Sequence, residues 1–87
     1  MNVIEKYDYL RTACNSEFGI FNYGREYCPN DPLIDIKELL FWLTMEVSRY
    51  KKVNHFYSKY DQEKNRMKIQ NMLDDFESKI IEYKLSI

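Results

Sequence analysis

Apolar side chains recur at Val3, Tyr7, Leu10 and Cys14, at intervals of four, three and four, while Glu5, Asp8, Arg11 and Thr12 fall on the opposite side. That period belongs to a helix with one buried face. Asn2 and Glu5 stand at the spacing of a capping box, which supplies partners for backbone N–H groups that a first helical turn leaves unpaired. The pattern predicts a helix over about 3–14.

From Asn15 the periodicity stops, and the segment at about 15–32 reads as a loop holding Phe18, Ile20, Phe21, Tyr23 and Tyr27 among both glycines. Loops of that length without internal structure are uncommon in compact domains, so this one is expected to contain a short turn or hairpin and to pack by its rings. Two roles fit it. The rings close the core as a flap, or some of them, Phe21 and Tyr23 foremost, face a binding partner, since loops on rigid scaffolds often carry function.

A second stripe runs through Ile36, Leu40, Leu43, Val47, Tyr50 and Tyr57, and Leu39, Phe41 and Trp42 make its middle apolar nearly all round. Such a helix is normally central; its second face otherwise serves an oligomer interface. Either Asp31 caps it with Pro32 as first helical residue, or Asp35 and Glu38 form a second capping-box pair, for a helix over about 33–53. No glycine or proline follows Pro32. One helix from there to the end would run to roughly 80 Å at about 1.5 Å per residue, too long for a chain of this size, so a break is required. Asn54 suits a left-handed helix end and Ser58 or Asp61 a new cap, which places the turn between 53 and 61. The third stripe, Ile69, Leu73, Phe76, Ile80, Tyr83 and Ile87, is the most regular and predicts a helix over about 61–85 packed antiparallel on the second.

The expected fold is therefore all-α: one domain over residues 1–87, with a short N-terminal helix across a long helical hairpin and an aromatic-rich loop. Length and composition agree. Eighty-seven residues suffice for a modest core without staples, and eight tyrosines, five phenylalanines and Trp42 argue against disorder. The N-terminal segment carries Glu5 and Asp8 and no apolar leader core, and the longest apolar run, Leu39 to Leu43, is far too short for a bilayer. A soluble, cytoplasmic protein without membrane contact is expected.

Candidate chemistry is sparse. Cys14 and Cys28 are not a C-x-x-C pair and, with His55 the single histidine, cannot complete a four-ligand zinc site; two free thiols are expected. Were they bridged, the link would tie the first helix to the loop and contribute about 3 kcal/mol. Either cysteine with His55 is a pairing that almost any sequence offers. Asp74, Asp75 and Glu77 read as a solvated acidic face, and neither glycine sits in a phosphate-binding pattern. Neither catalysis, metal nor cofactor is expected.

Charge is more informative. Residues 1–48 carry net −4, residues 49–68 net +5 and residues 69–87 net −2, within a chain of net −1. The basic block holds Arg49, Lys51, Lys52, Lys59, Lys64, Arg66 and Lys68 and falls at the expected hairpin turn. Cations closing the second helix complement its dipole, whereas Lys64, Arg66 and Lys68 lie early in the third, where positive charge is disfavoured. The bland reading is a solvated, lysine-rich turn. The functional reading is an anionic partner. Tyr50, Phe56, Tyr57 and Tyr60 interleave with the cations as on single-strand stacking surfaces, but a pI near 5.8 is low for a dedicated nucleic-acid binder. The sequence thus predicts a non-catalytic protein that occludes a protein partner. By analogy of size alone, toxin-immunity proteins and phage anti-defence inhibitors are such proteins. A nucleic-acid module built on the 49–68 tip and a homodimer through Leu39, Trp42 and their neighbours are the alternatives.

Overall fold

The computed structural model describes residues 2–19 and 32–86, and among them it is all-α. Helix α1 spans Val3–Phe18, α2 spans Ile34–Val53, a single 3-10 turn covers Asn54–Phe56, and α3 spans Lys59–Ser86.

Asn2 caps α1: its Oδ1 accepts the Glu5 backbone N–H at 2.9 Å, and its side-chain amide donates to the Glu5 carboxylate, also at 2.9 Å. The helix runs one turn beyond the expected end at residue 14. Phe18 continues the Cys14 line by one more step of four and belongs to the helix, not the loop, with its ring edge-on to Tyr83 at 5.2 Å. What ends α1 is Gly19, whose φ of 71° is left-handed and whose N–H donates to the Asn15 carbonyl at 3.0 Å. Glycine alone adopts that conformation without a Cβ penalty.

The cap expected from Asp35 and Glu38 is not formed, because α2 has already begun at Ile34. Leu33 occupies the cap position, Pro32 precedes it, and Asp35 lies within the first helical turn, where its charge complements the dipole. Asp31, Phe21, Tyr23 and the rest of the loop through residue 31 lie outside the described residues, so the flap and the ring surface expected there do too.

The break between α2 and α3 falls inside the expected window by a different device. Asn54 is right-handed, at φ −59° and ψ −33°, and the only left-handed residue among those described is Gly19. The chain tightens into the 3-10 turn, extends at Tyr57, and restarts at Ser58, whose Oγ accepts the Asp61 N–H at 3.2 Å. Asn54 is 8% exposed, and its Oδ1 accepts from the Asn65 side-chain amide at 3.0 Å, binding the turn to α3.

The core draws four residues from each helix: Val3, Tyr7, Leu10 and Cys14; Ile36, Leu40, Leu43 and Val47; Ile69, Leu73, Phe76 and Ile80. The first is the predicted stripe entire, the second stops short of Tyr50 and Tyr57, and the third stops short of Tyr83, with Ile87 outside the described residues. Tyr50 and Tyr83 pack against the core half-buried, whereas Tyr57, assigned to the second stripe, stands beyond the end of α2 and is exposed. Trp42 also departs from expectation. It is 51% exposed, as is Met45, so α2 is not enclosed on all sides.

α2 and α3 are antiparallel, as the pairing of Glu46 with Lys68 and of Asn54 with Asn65 requires. α1 lies alongside them in the half away from the turn: Lys6 pairs with Asp74 at 3.5 Å, Tyr7 Oη bonds Thr44 Oγ1 at 2.7 Å, and Glu17 pairs with Lys84 at 2.7 Å. Asp74 is thereby more than part of a solvated face, since it helps seat α1. No helix among the described residues is long and apolar enough to cross a membrane.

Candidate nucleic-acid or protein interface at the helical turn

The seven basic residues of the 49–68 block do sit at one end of the bundle, carried by the last turns of α2 and the first turns of α3. The fold then divides them into two groups. Arg49 donates to the Tyr57 hydroxyl at 3.3 Å, a bond that raises the guanidinium's already high pKa. Arg66 grips Glu63 one turn earlier, with Nε at 3.1 and 3.0 Å from the two carboxylate oxygens; this hydrogen-bonded fork holds the Glu63 carboxyl below its ordinary value. Lys68 reaches across to Glu46 of α2 at 3.2 Å. These three cations are engaged by the protein itself.

Lys51, Lys52, Lys59 and Lys64 are exposed and make no ion pair among the described residues. Their electrostatic settings differ. Lys51 and Lys52 lie in the last turn of α2, where the exposed carbonyls favour a cation. Lys59 is the first residue of α3, at the end of a helix whose free N–H groups repel positive charge, and Lys64 lies just over one turn on, where that repulsion has faded. Aromatic rings accompany them. Phe56 is 78% and Tyr60 77% exposed, and Tyr60, Lys64 and Met67 follow one another at helical spacing around a shallow hollow on the outer side of α3.

The cleft between the two helix ends is narrow. About 70 Å³ is enclosed between Arg49, Tyr50, Asn54, Tyr57 and Lys68, which admits a few waters and falls well short of the roughly 300 Å³ at which small-molecule sites begin. What the tip offers is an outer surface of cations and rings, suited to a macromolecule.

Away from the tip, α1 and α3 frame an apolar groove of about 230 Å³ with Cys14 at its floor. Burial pushes the Cys14 thiol up to about 11, the nearby Glu17 carboxylate adds to the rise, and Lys84 opposes it. At neutral pH this sulfur is a thiol packed as a small hydrophobe, free of any disulfide. His55 lies in the 3-10 turn, at the opposite end of the bundle from Glu17 and Lys84, its ring tilted at 39° to that of Phe56 with ring centres 4.0 Å apart. Among the described residues no group of three or more histidine, cysteine or acidic side chains is placed to hold a metal ion.

Two features escaped sequence reasoning. A window from 49 to 68 cannot register Glu46, which lies outside it in sequence and against Lys68 in space. The bond between Asn54 and Asn65 was equally hidden, although eleven residues across a short turn is a separation at which facing amides meet. Compared with protein-family models, curated proteins and solved structures, the chain finds no match.

Proposed function

We propose that this protein acts by binding, and that the end of the bundle carrying Lys51, Lys52, Lys59 and Lys64 is the surface that meets an acidic protein partner and occludes it. The observation that supports this reading is the placement of Lys59 and Lys64. Both are exposed and unpaired in the opening turns of α3, Lys59 at the helix end itself, which disfavours a cation, beside the exposed rings of Phe56 and Tyr60. For stability alone, the first turn favours acidic side chains. Aromatic residues within a cationic rim combine the apolar anchors of a protein interface with charges that steer encounter.

The test is affinity capture from the native host with tagged wild-type protein and with a Lys59→Glu/Lys64→Glu variant. A partner retained at stoichiometry by the wild type, and lost on charge reversal or at high salt, is the expected result. Capture of nothing, or capture indifferent to both changes, refutes the reading.

The exposure of Phe56 and Tyr60 favours a second reading, in which the same surface stacks single-stranded nucleic acid. An anisotropy titration with RNA and DNA oligomers separates the two. Binding that falls steeply between low and physiological salt, with a shallower slope in Lys64→Ala, identifies a nucleic-acid module. Absence of binding at low salt eliminates it.

A further inference from the structure

α2 carries a second surface, on the side away from its buried line. Asp35, Glu38, Trp42, Met45, Arg49 and Lys52 are all exposed there. At about 100° per residue the middle four fall within a band of roughly 60°, with Asp35 and Lys52 at its edges. In chain order the face reads acid, acid, tryptophan, methionine, base, base. The order is symmetric: the midpoint of 35 and 52, of 38 and 49, and of 42 and 45 is the same point, between Leu43 and Thr44.

We propose that this face binds a second copy of the chain, with the two α2 helices antiparallel about a two-fold axis through that point. The symmetry sets Glu38 of each copy against Arg49 of the other, and gathers Trp42 and Met45 of both at the centre. Charge complementarity selects this occupant. A partner of one sign meets half of the face with the wrong charge, and a parallel pair of copies opposes Glu38 to Glu38 and Arg49 to Arg49. The self-complementary patch is what an isologous dimer requires. Arg49 spends one nitrogen on Tyr57, and its guanidinium has further donors for the second copy's carboxylate. A single helix pair with two half-exposed apolar side chains per copy lies at the small end of stable interfaces, so the dimer is concentration-dependent, not obligate. It leaves Lys51, Lys59 and Lys64 outside, and its failure leaves the reading of the turn untouched.

Sedimentation velocity of the full chain, from about 1 μM to about 1 mM, tests the proposal. The wild type is expected to pass from monomer to dimer across that range, with the emission of Trp42, the chain's one tryptophan, shifting to the blue as it does so. Glu38→Arg and Arg49→Glu each create two like-charge contacts, and each is expected to weaken self-association by about tenfold or more, with unchanged helical circular dichroism. Mixing the two variants in equal amounts restores both opposite-charge contacts, so a heterodimer of wild-type strength should form where neither variant alone dimerises. A wild type that stays monomeric throughout overturns the proposal. So does a dimer indifferent to the single reversals, or a mixture that fails to recover it.

Discussion

Replacing Asn54 by glycine separates two accounts of how the chain turns between α2 and α3. If Asn54 closed α2 in the left-handed conformation, glycine would relieve a Cβ penalty and stabilise the protein by up to about 1 kcal/mol. The residue is right-handed, almost wholly buried, and bonded through its side chain to Asn65 at 3.0 Å, so the sign reverses. Losing that hydrogen bond costs about 1 kcal/mol; the half-buried Asn65 amide regains water only in part. Glycine in helical backbone adds roughly 0.5–1 kcal/mol of entropy. The expected destabilisation is about 2 kcal/mol, a large share of the roughly 4–13 kcal/mol typical of a chain this long, and it lowers Tm by about 8–16 °C. Urea denaturation followed by circular dichroism is the assay, with an unchanged m value confirming that stability alone has moved. Asn65→Ala closes a double-mutant cycle, and the two changes together should cost less than their sum. An Asn54→Gly variant as stable as the wild type, or more so, would refute the reasoning.

The remaining predictions follow from the core, the end of α1 and the buried thiol. Phe76→Ala empties a position with no solvent exposure at the centre of α3 and should cost about 3–5 kcal/mol in urea denaturation, enough to leave a visible unfolded population in a marginal protein. Gly19→Ala should cost only about 1–2 kcal/mol, because an added Cβ meets no atom within 4 Å and the penalty is that of the left-handed backbone alone; Gly19→Asn should cost less. Cys14 holds its proton more tightly folded, at about 11, than unfolded, near 9.0, so its contribution is complete below pH 9 and is lost as the pH rises through 11. The loss is about 2–3 kcal/mol over those two units. In a Cys28→Ser background, Cys14 should resist a thiol reagent at neutral pH until denaturant is added, and prompt labelling of the folded protein would contradict its burial.

How much was legible in the sequence follows from the range of the forces involved. The three apolar stripes specify three helices and their inward faces because burial of one face repeats with the helix itself, and all twelve core residues lie on those stripes. Where a cap is a bond between near neighbours it too could be read, outright at Asn2 and as one of two candidates, with Asp61, at Ser58. Errors arose where neighbours along the chain carry no decisive signal. Phe18 belongs to α1 because its ring meets Tyr83, sixty-five residues away, and α2 begins at Ile34, one residue ahead of the cap expected at Asp35, with Ile36 and Leu40 packed in the core.

The candidate surface divides along the same line. Sequence by itself determined that seven cations gather near one turn, since charge adds along a chain regardless of conformation. Only the tertiary structure decided which of them are available. It brought Glu46 to Lys68 and Arg49 onto Tyr57, beside the Glu63–Arg66 pair that helical spacing alone sets within α3, and left Lys51, Lys52, Lys59 and Lys64 in solvent. It also decided that the outer face of α2 stays open with Trp42 and Met45 upon it, because two neighbouring helices cover only part of a third. Pairing and exposure depend on distances through space, and those are set only once the helices have packed.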